Sequence, residues 1–214
     1  MKKIFVHAKS KLDVSEVIKK VKFKGRLGLV TTIQHVHKLK TAQKLLKDSI
    51  IGGQVIGCDV SKAEKVANKV DAILYIGSGR FHPVQIALKT GKNVIIADPY
   101  TNTINEIRKD DVENLKRKIK IGYIKFLHAN KIGILVSIKP GQNRLKDAIK
   151  LKNKLKSMKK KGFIFVFDTL DFGQLENFPD IDSWVNTACP RIAIDDFSKF
   201  NKPVINIDDL NGKI

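Results

Sequence analysis

Leu27-Gly28-Leu29-Val30-Thr31-Thr32, a segment of helical period from His35 to Leu46, and then Ser49-Ile50-Ile51-Gly52-Gly53-Gln54-Val55-Ile56 together decide the fold. Two apolar runs of strand length flank a helix-length connection. That alternation signals a β-α-β unit, because parallel strands need a long crossover between them. Working outward, strands are predicted at Lys3 to His7, Ala72 to Ile76 and Asn93 to Ala97, with helices at Val14 to Val21, Ser61 to Val70 and Pro83 to Lys89. The second half opens on a charged helix near Asn105 to His128 that suits a connector. Strands follow at Lys131 to Ser137, Phe163 to Asp168, Ser183 to Thr187 and Val204 to Ile207, with helices around Arg144 to Lys160 and Asp171 to Asn177. The expected fold class is α/β: two similar domains with parallel sheets flanked by helices, one over residues 1–104 and one over 105–214. Gly28-Leu29-Val30-Thr31-Thr32-Ile33-Gln34 and Gly133-Ile134-Leu135-Val136-Ser137-Ile138-Lys139 each lead into a Lys-rich helix, a weak internal repeat.

The 214 residues carry a net charge of +20. Such a balance puts nucleic acid on the table, since clustered Lys and Arg release counterions from phosphate. The lysines, however, fall on exposed helix faces such as Lys146 to Lys156 and in the run Lys159-Lys160-Lys161, with no aromatic residues interleaved to stack bases. A solvated lysine-rich surface is the better reading, and nucleic acid is not the partner favoured. No stretch reaches the roughly 18 to 20 apolar residues of a membrane span, so no membrane is expected and a cytosolic location is. There is no Ser-His-Asp set, no Walker loop and no paired carboxylate acid and base, which leaves hydrolase chemistry unsupported.

Cys58 and Cys189 are the only cysteines, 131 positions apart. Neither has the Cys-x-x-Cys spacing of a zinc ribbon or a redox pair. In a reducing compartment they read as free thiols, metal ligands or catalytic groups rather than a disulfide. Both are expected at the carboxyl ends of strands, where open parallel sheets gather ligands.

Five phrases then occur in order: Thr32-Ile33-Gln34-His35-Val36-His37, Gly53-Gln54-Val55-Ile56-Gly57-Cys58, Tyr75-Ile76-Gly77-Ser78-Gly79-Arg80-Phe81-His82, Asp98-Pro99-Tyr100, and Trp184-Val185-Asn186-Thr187-Ala188-Cys189-Pro190-Arg191-Ile192-Ala193-Ile194-Asp195. The series resembles the archaeal diphthamide synthase family, 2-(3-amino-3-carboxypropyl)histidine synthase, over that family's second and third domains. The resemblance implies a radical enzyme of three similar α/β domains, each giving one cysteine to a 4Fe-4S cluster. The cluster's open iron binds S-adenosylmethionine, whose reductive cleavage yields a 3-amino-3-carboxypropyl radical. That radical adds to a histidine of translation elongation factor 2, the first step of diphthamide formation.

By this resemblance Cys58 and Cys189 are cluster ligands, soft thiolates of the kind iron-sulfur clusters take. The third cysteine is expected from a separate chain supplying the first domain, within a homo- or hetero-oligomer. The alternative is a noncatalytic scaffold or electron-relay subunit of the same complex. The resemblance further assigns Gln34, Gly77, Gly79, Arg80, His82 and Asp98 to the cofactor cleft. Arg80 suits a carboxylate through its planar fork, with a surface salt bridge as the plain alternative. His35, His37 and His82 read on their own as hydrogen-bonded structural histidines, and Trp184 as core packing. Two departures stand out: Ser78 replaces the family's usual acidic residue, and the 136–143 loop lacks the family's Arg-Gln-Gly sequence.

Overall fold

The computed structural model describes residues 4, 6–56 and 59–210. The chain divides into two compact units, Met1–Glu113 and Asn114–Ile214.

The first unit runs α1 (Ser15–Lys19), β1 (Leu27–Thr31), α2 (Leu39–Leu45), β2 (Ser49–Gln54), α3 (Ser61–Ala67), β3 (Ala72–Ile76), α4 (Phe81–Thr90), β4 (Asn93–Asp98) and β5 (Thr103–Glu106). The sheet order is β2-β1-β3-β4-β5, parallel except for β5. β1 and β3 are buried along their whole length. Their apolar sequences are therefore what a sheet covered on both faces requires. One face packs Leu29, Leu74, Ile76 and Ile95 against Val17 and Ile18 of α1 and Leu39 of α2. The other packs Val30, Ile73, Tyr75 and Ile96 against Ala63 and Val66 of α3 and Ile86 of α4. Each such aliphatic side chain, fully buried, contributes about 1.5–3 kcal/mol of transfer free energy. α4 ends at Gly91, whose φ of 66° supplies the left-handed cap that glycine adopts without strain.

The helix α5 (Lys109–His128) crosses the division between the units. The second unit continues with β6 (Lys131–Ser137), α6 (Leu145–Ser157), β7 (Lys161–Phe167), β8 (Ser183–Asn186), α7 (Arg191–Ile194), β9 (Val204–Asn206) and α8 (Ile207–Leu210). Its sheet order is β7-β6-β8-β9, parallel throughout. In each unit the first strand of the sheet lies beside the second and third, and the fourth lies outside the third. The weak repeat seen in the sequence thus marks equivalent strands, β1 and β6. Gly28 pairs with Ile73, and Gly133 with Trp184. A Cβ on Gly133 would stand 2.2 Å from the Trp184 ring, so glycine is what lets the indole cross the strand. Trp184 is fully buried, as expected of core packing.

Several expectations are corrected. No strand forms at Lys3 to His7 among the described residues; Lys3 and Phe5 lie outside them, and Ile4 and Val6 are 86% and 87% exposed. The sheet edge beside β4 is taken instead by β5. β5 also replaces the start of the helix expected from Asn105, because a tight reversal with Asn102 at φ 54° folds Thr103 back against Asp98. Asn tolerates that left-handed conformation better than most residues. The helix expected at His35 to Leu46 is a 3-10 turn at Val36–Lys38 followed by α2, and Asp171 to Asn177 gives only a 3-10 turn at Gly173–Asn177.

Candidate functional site

In the first unit, β1 and β3 are neighbours whose chains leave in opposite directions, β1 toward β2 and β3 toward β4. Open parallel sheets bind ligands outside the carboxyl ends of such a strand pair. The loop after β3 is Gly77-Ser78-Gly79-Arg80. The Gly77 N–H donates to the Ala97 carbonyl at 2.9 Å, and φ values of 151° at Gly77 and 80° at Gly79 call for glycine. A Cβ on Gly77 would lie 2.9 Å from the Tyr75 hydroxyl, whereas one on Gly79 would meet open space. Ser78 Oγ donates to Asp98 Oδ1 at 2.8 Å, and the same oxygen accepts the Tyr100 N–H at 2.9 Å. Ser78 therefore ties its loop to the end of β4 by a neutral hydroxyl. A carboxylate at that position would face Asp98 as a like charge.

Arg80 donates to Asp111 at the start of α5, its Nη2 lying 2.5 Å from Oδ2. The salt bridge is the arrangement present. His82 stacks on Tyr75, with ring centroids 5.8 Å apart and planes 11° from parallel. Burial pushes the Tyr75 phenol up to about 12, keeping it neutral. Gln34 is exposed, and its carbonyl accepts the Ser10 N–H at 2.9 Å. Gly77, Gly79, Arg80, His82 and Asp98 thus lie where β3 and β4 end, with Gln34 three residues past the end of the adjacent β1.

His35, on that same connection, behaves otherwise than the sequence suggested. It is only 2% exposed, with an edge contact to Tyr100, and its Nδ1 has no hydrogen-bond partner among the described residues. Burial, then His37 and Lys38, hold its pKa below the ordinary value. An isolated histidine in a Gln-His-Val-His phrase carries no sequence signal of such burial. His37 lies exposed.

In the second unit the loop after β8 carries Cys189, a free and partly exposed thiol. The preceding residues are buried: Asn186, Thr187 and Ala188. Thr187 Oγ1 donates to the Leu135 carbonyl at 2.8 Å, and Asn186 Nδ2 donates to the Cys189 carbonyl at 2.9 Å. Arg191, the first residue of α7, pairs with Asp195. The departing 136–143 loop is also held, with Ser137 Oγ accepting the Lys139 N–H at 3.1 Å and the Ile138 N–H donating to the Phe167 carbonyl at 2.9 Å. Just beyond it Arg144 grips Asp208 and Asp147, both at 2.8 Å.

Cys58 lies outside the described residues. Among the described residues no group of three His, Cys, Asp or Glu side chains could hold a metal ion. The Cys189 thiol is a soft donor of the class that iron-sulfur clusters take. No described helix is long and apolar enough to cross a membrane.

Residues 1–211 match the family described as "Putative diphthamide synthesis protein". The chain belongs to this diphthamide synthesis family. A relative named 2-(3-amino-3-carboxypropyl)histidine synthase, from Pyrococcus horikoshii, is 37% identical over 220 residues, covering 94% of this chain and 62% of the relative. A protein of the same name from Methanocaldococcus jannaschii is 31% identical over 198 residues, covering 90% of this chain and 53% of its own length. The crystal structure of Dph2 from Pyrococcus horikoshii with a 4Fe-4S cluster superimposes with a TM-score of 0.81 at 32% identity, over 94% of this chain and 62% of that one. The chain thus spans between about half and two thirds of the length of these relatives.

Proposed function

We propose that this family member works in the first step of diphthamide biosynthesis, as part of a cytoplasmic enzyme that transfers a 3-amino-3-carboxypropyl group from S-adenosylmethionine to a histidine of translation elongation factor 2. Cys58 and Cys189 act as thiolate ligands to a 4Fe-4S cluster. A third thiolate is furnished by chain outside these 214 residues. When bound, the cluster supplies the electron that cleaves S-adenosylmethionine.

The observation that carries this reading is Cys189. A free thiol sits on a loop whose backbone is tied down on both sides, in a protein whose relatives bear the synthase name. A ligand to a cluster needs a reachable sulfur on a held backbone, and the partial exposure of Cys189 and the hydrogen bonds of its loop support that reading. At the end of the first unit's strands, the open space beside Gly79, in the exposed segment from Ser78 to Arg80, suits the amino acid end of the co-substrate. Arg80 would exchange Asp111 for that carboxylate, keeping its charge compensated throughout.

The test is anaerobic purification of the tagged protein from its own cells, with whatever co-purifies, followed by iron and sulfide analysis and turnover with S-adenosylmethionine and elongation factor 2. Recovery of a cysteine-bearing partner, about four irons per assembled site, and loss of both iron and turnover in Cys189→Ser are expected. Unchanged iron and turnover in that variant would sink the ligand assignment and leave an accessory subunit.

A further inference from the structure

Asn186 ends β8 and Asn206 ends β9, and the two strands pair at that pair of residues. Both asparagines are buried, 1% and 5% exposed. Asn186 Nδ2 donates to Asn206 Oδ1 at 2.7 Å and to the Cys189 carbonyl at 2.9 Å, while its Oδ1 accepts the Ala188 N–H at 3.1 Å. Asn206 Nδ2 donates to the Pro190 carbonyl at 3.2 Å. The two amides hydrogen-bond to each other and to three consecutive loop residues, Ala188, Cys189 and Pro190. Buried amides are costly unless paired, so a sheet carries them only where their partners need them.

The other unit shows what the fold alone asks for at these positions. With Gly28 and Gly133 equivalent, strand register makes Tyr75 the counterpart of Asn186 and Ile96 the counterpart of Asn206. Tyr75 and Ile96 are members of an apolar core cluster. The same topology thus closes with apolar side chains where no cysteine follows the third strand, and with a hydrogen-bonded asparagine pair where one does.

We propose that Asn186 and Asn206 are positioning residues that fix the backbone on either side of Cys189 and so hold its sulfur at one place. This rests on the reading of Cys189 as a ligand, and deepens it by naming what presents the thiol. A ligand loop that wandered by an ångström would meet the cluster poorly, and a pair anchored to two neighbouring strands removes that freedom.

The experiment replaces both amides by apolar groups of similar size, Asn186→Leu with Asn206→Leu, and follows iodoacetamide alkylation of the metal-free protein by peptide mass. Cys58, in the other unit, is the internal reference. Freed of the clamp, Cys189 should be alkylated more than twofold faster relative to Cys58, about fivefold, through local opening of its loop. A Cys189 to Cys58 ratio within twofold of wild type would overturn the proposal, whether or not the melting temperature falls. Should the double variant fail to fold, Asn206→Leu alone, which leaves the Asn186 bond to Ala188 in place, is judged by the same ratio. Because the ratio is read without metal, it is separate from the iron analysis that tests the ligand assignment itself.

Discussion

His35 shows how one residue can be set apart by burial. Its ring is nearly inaccessible, its Nδ1 is unpaired among the described groups, and its surroundings favour the neutral imidazole. Burial dominates; His37 and Lys38 act the same way, and Asp98 opposes them weakly. The folded pKa is therefore below the unfolded value of about 6.5, and the unfolded chain binds the extra proton first as pH drops. Stability from this residue is complete above about pH 6.5 and is lost as pH falls through the window below it toward the folded pKa. Thermal unfolding of wild type and His35→Leu should accordingly diverge between about pH 7 and 5, wild type losing more of its melting temperature. Parallel pH profiles would mean that the imidazole does not titrate in that window. The motif holding His35 was legible, but its burial was not, because the ring meets Tyr100, a residue 65 positions away that no local pattern names.

Among elements, the strands were the most legible. β3 and β6 fall where apolar runs bounded by turns put them, and the two Gly-led runs mark the same strand of each sheet. Trp184 and Gly133 explain why glycine recurs there: residues 51 positions apart are neighbours across β6 and β8. Gly133→Ala should destabilise the second unit by about 1–3 kcal/mol, since the added methyl collides with the fully buried Trp184 indole. Gly91→Ala, at an exposed helix cap, should cost about 1 kcal/mol by backbone strain alone. Urea denaturation curves of the two variants would check both, and equal small losses would show that the indole can shift. β5 was not legible. Its last two residues, Asn105 and Glu106, read as the start of a charged helix, and the four form a strand because the Asn102 reversal delivers them to the open edge of β4.

At the scale of the molecule, each unit carries its own pair of core clusters, drawn from its own sheet and helices. Hydrogen exchange of Gly133→Ala should lose protection in β6, β8 and β9, while amides of Leu74 and Ile95 in the first unit keep theirs; matching losses in both would show one cooperative unit. The sequence by itself determined the alternation of strand and helix, the doubling of the α/β unit and the loops in which Cys189, Gly77 and Gly79 lie, because these depend on period and on local backbone preference. Tertiary structure alone decided that Asn186 stands beside Asn206, that Arg80 meets Asp111 and that His35 is buried. Those pairings depend on strand order and register, which bring together residues far apart in the chain and leave no trace in the spacing of either one.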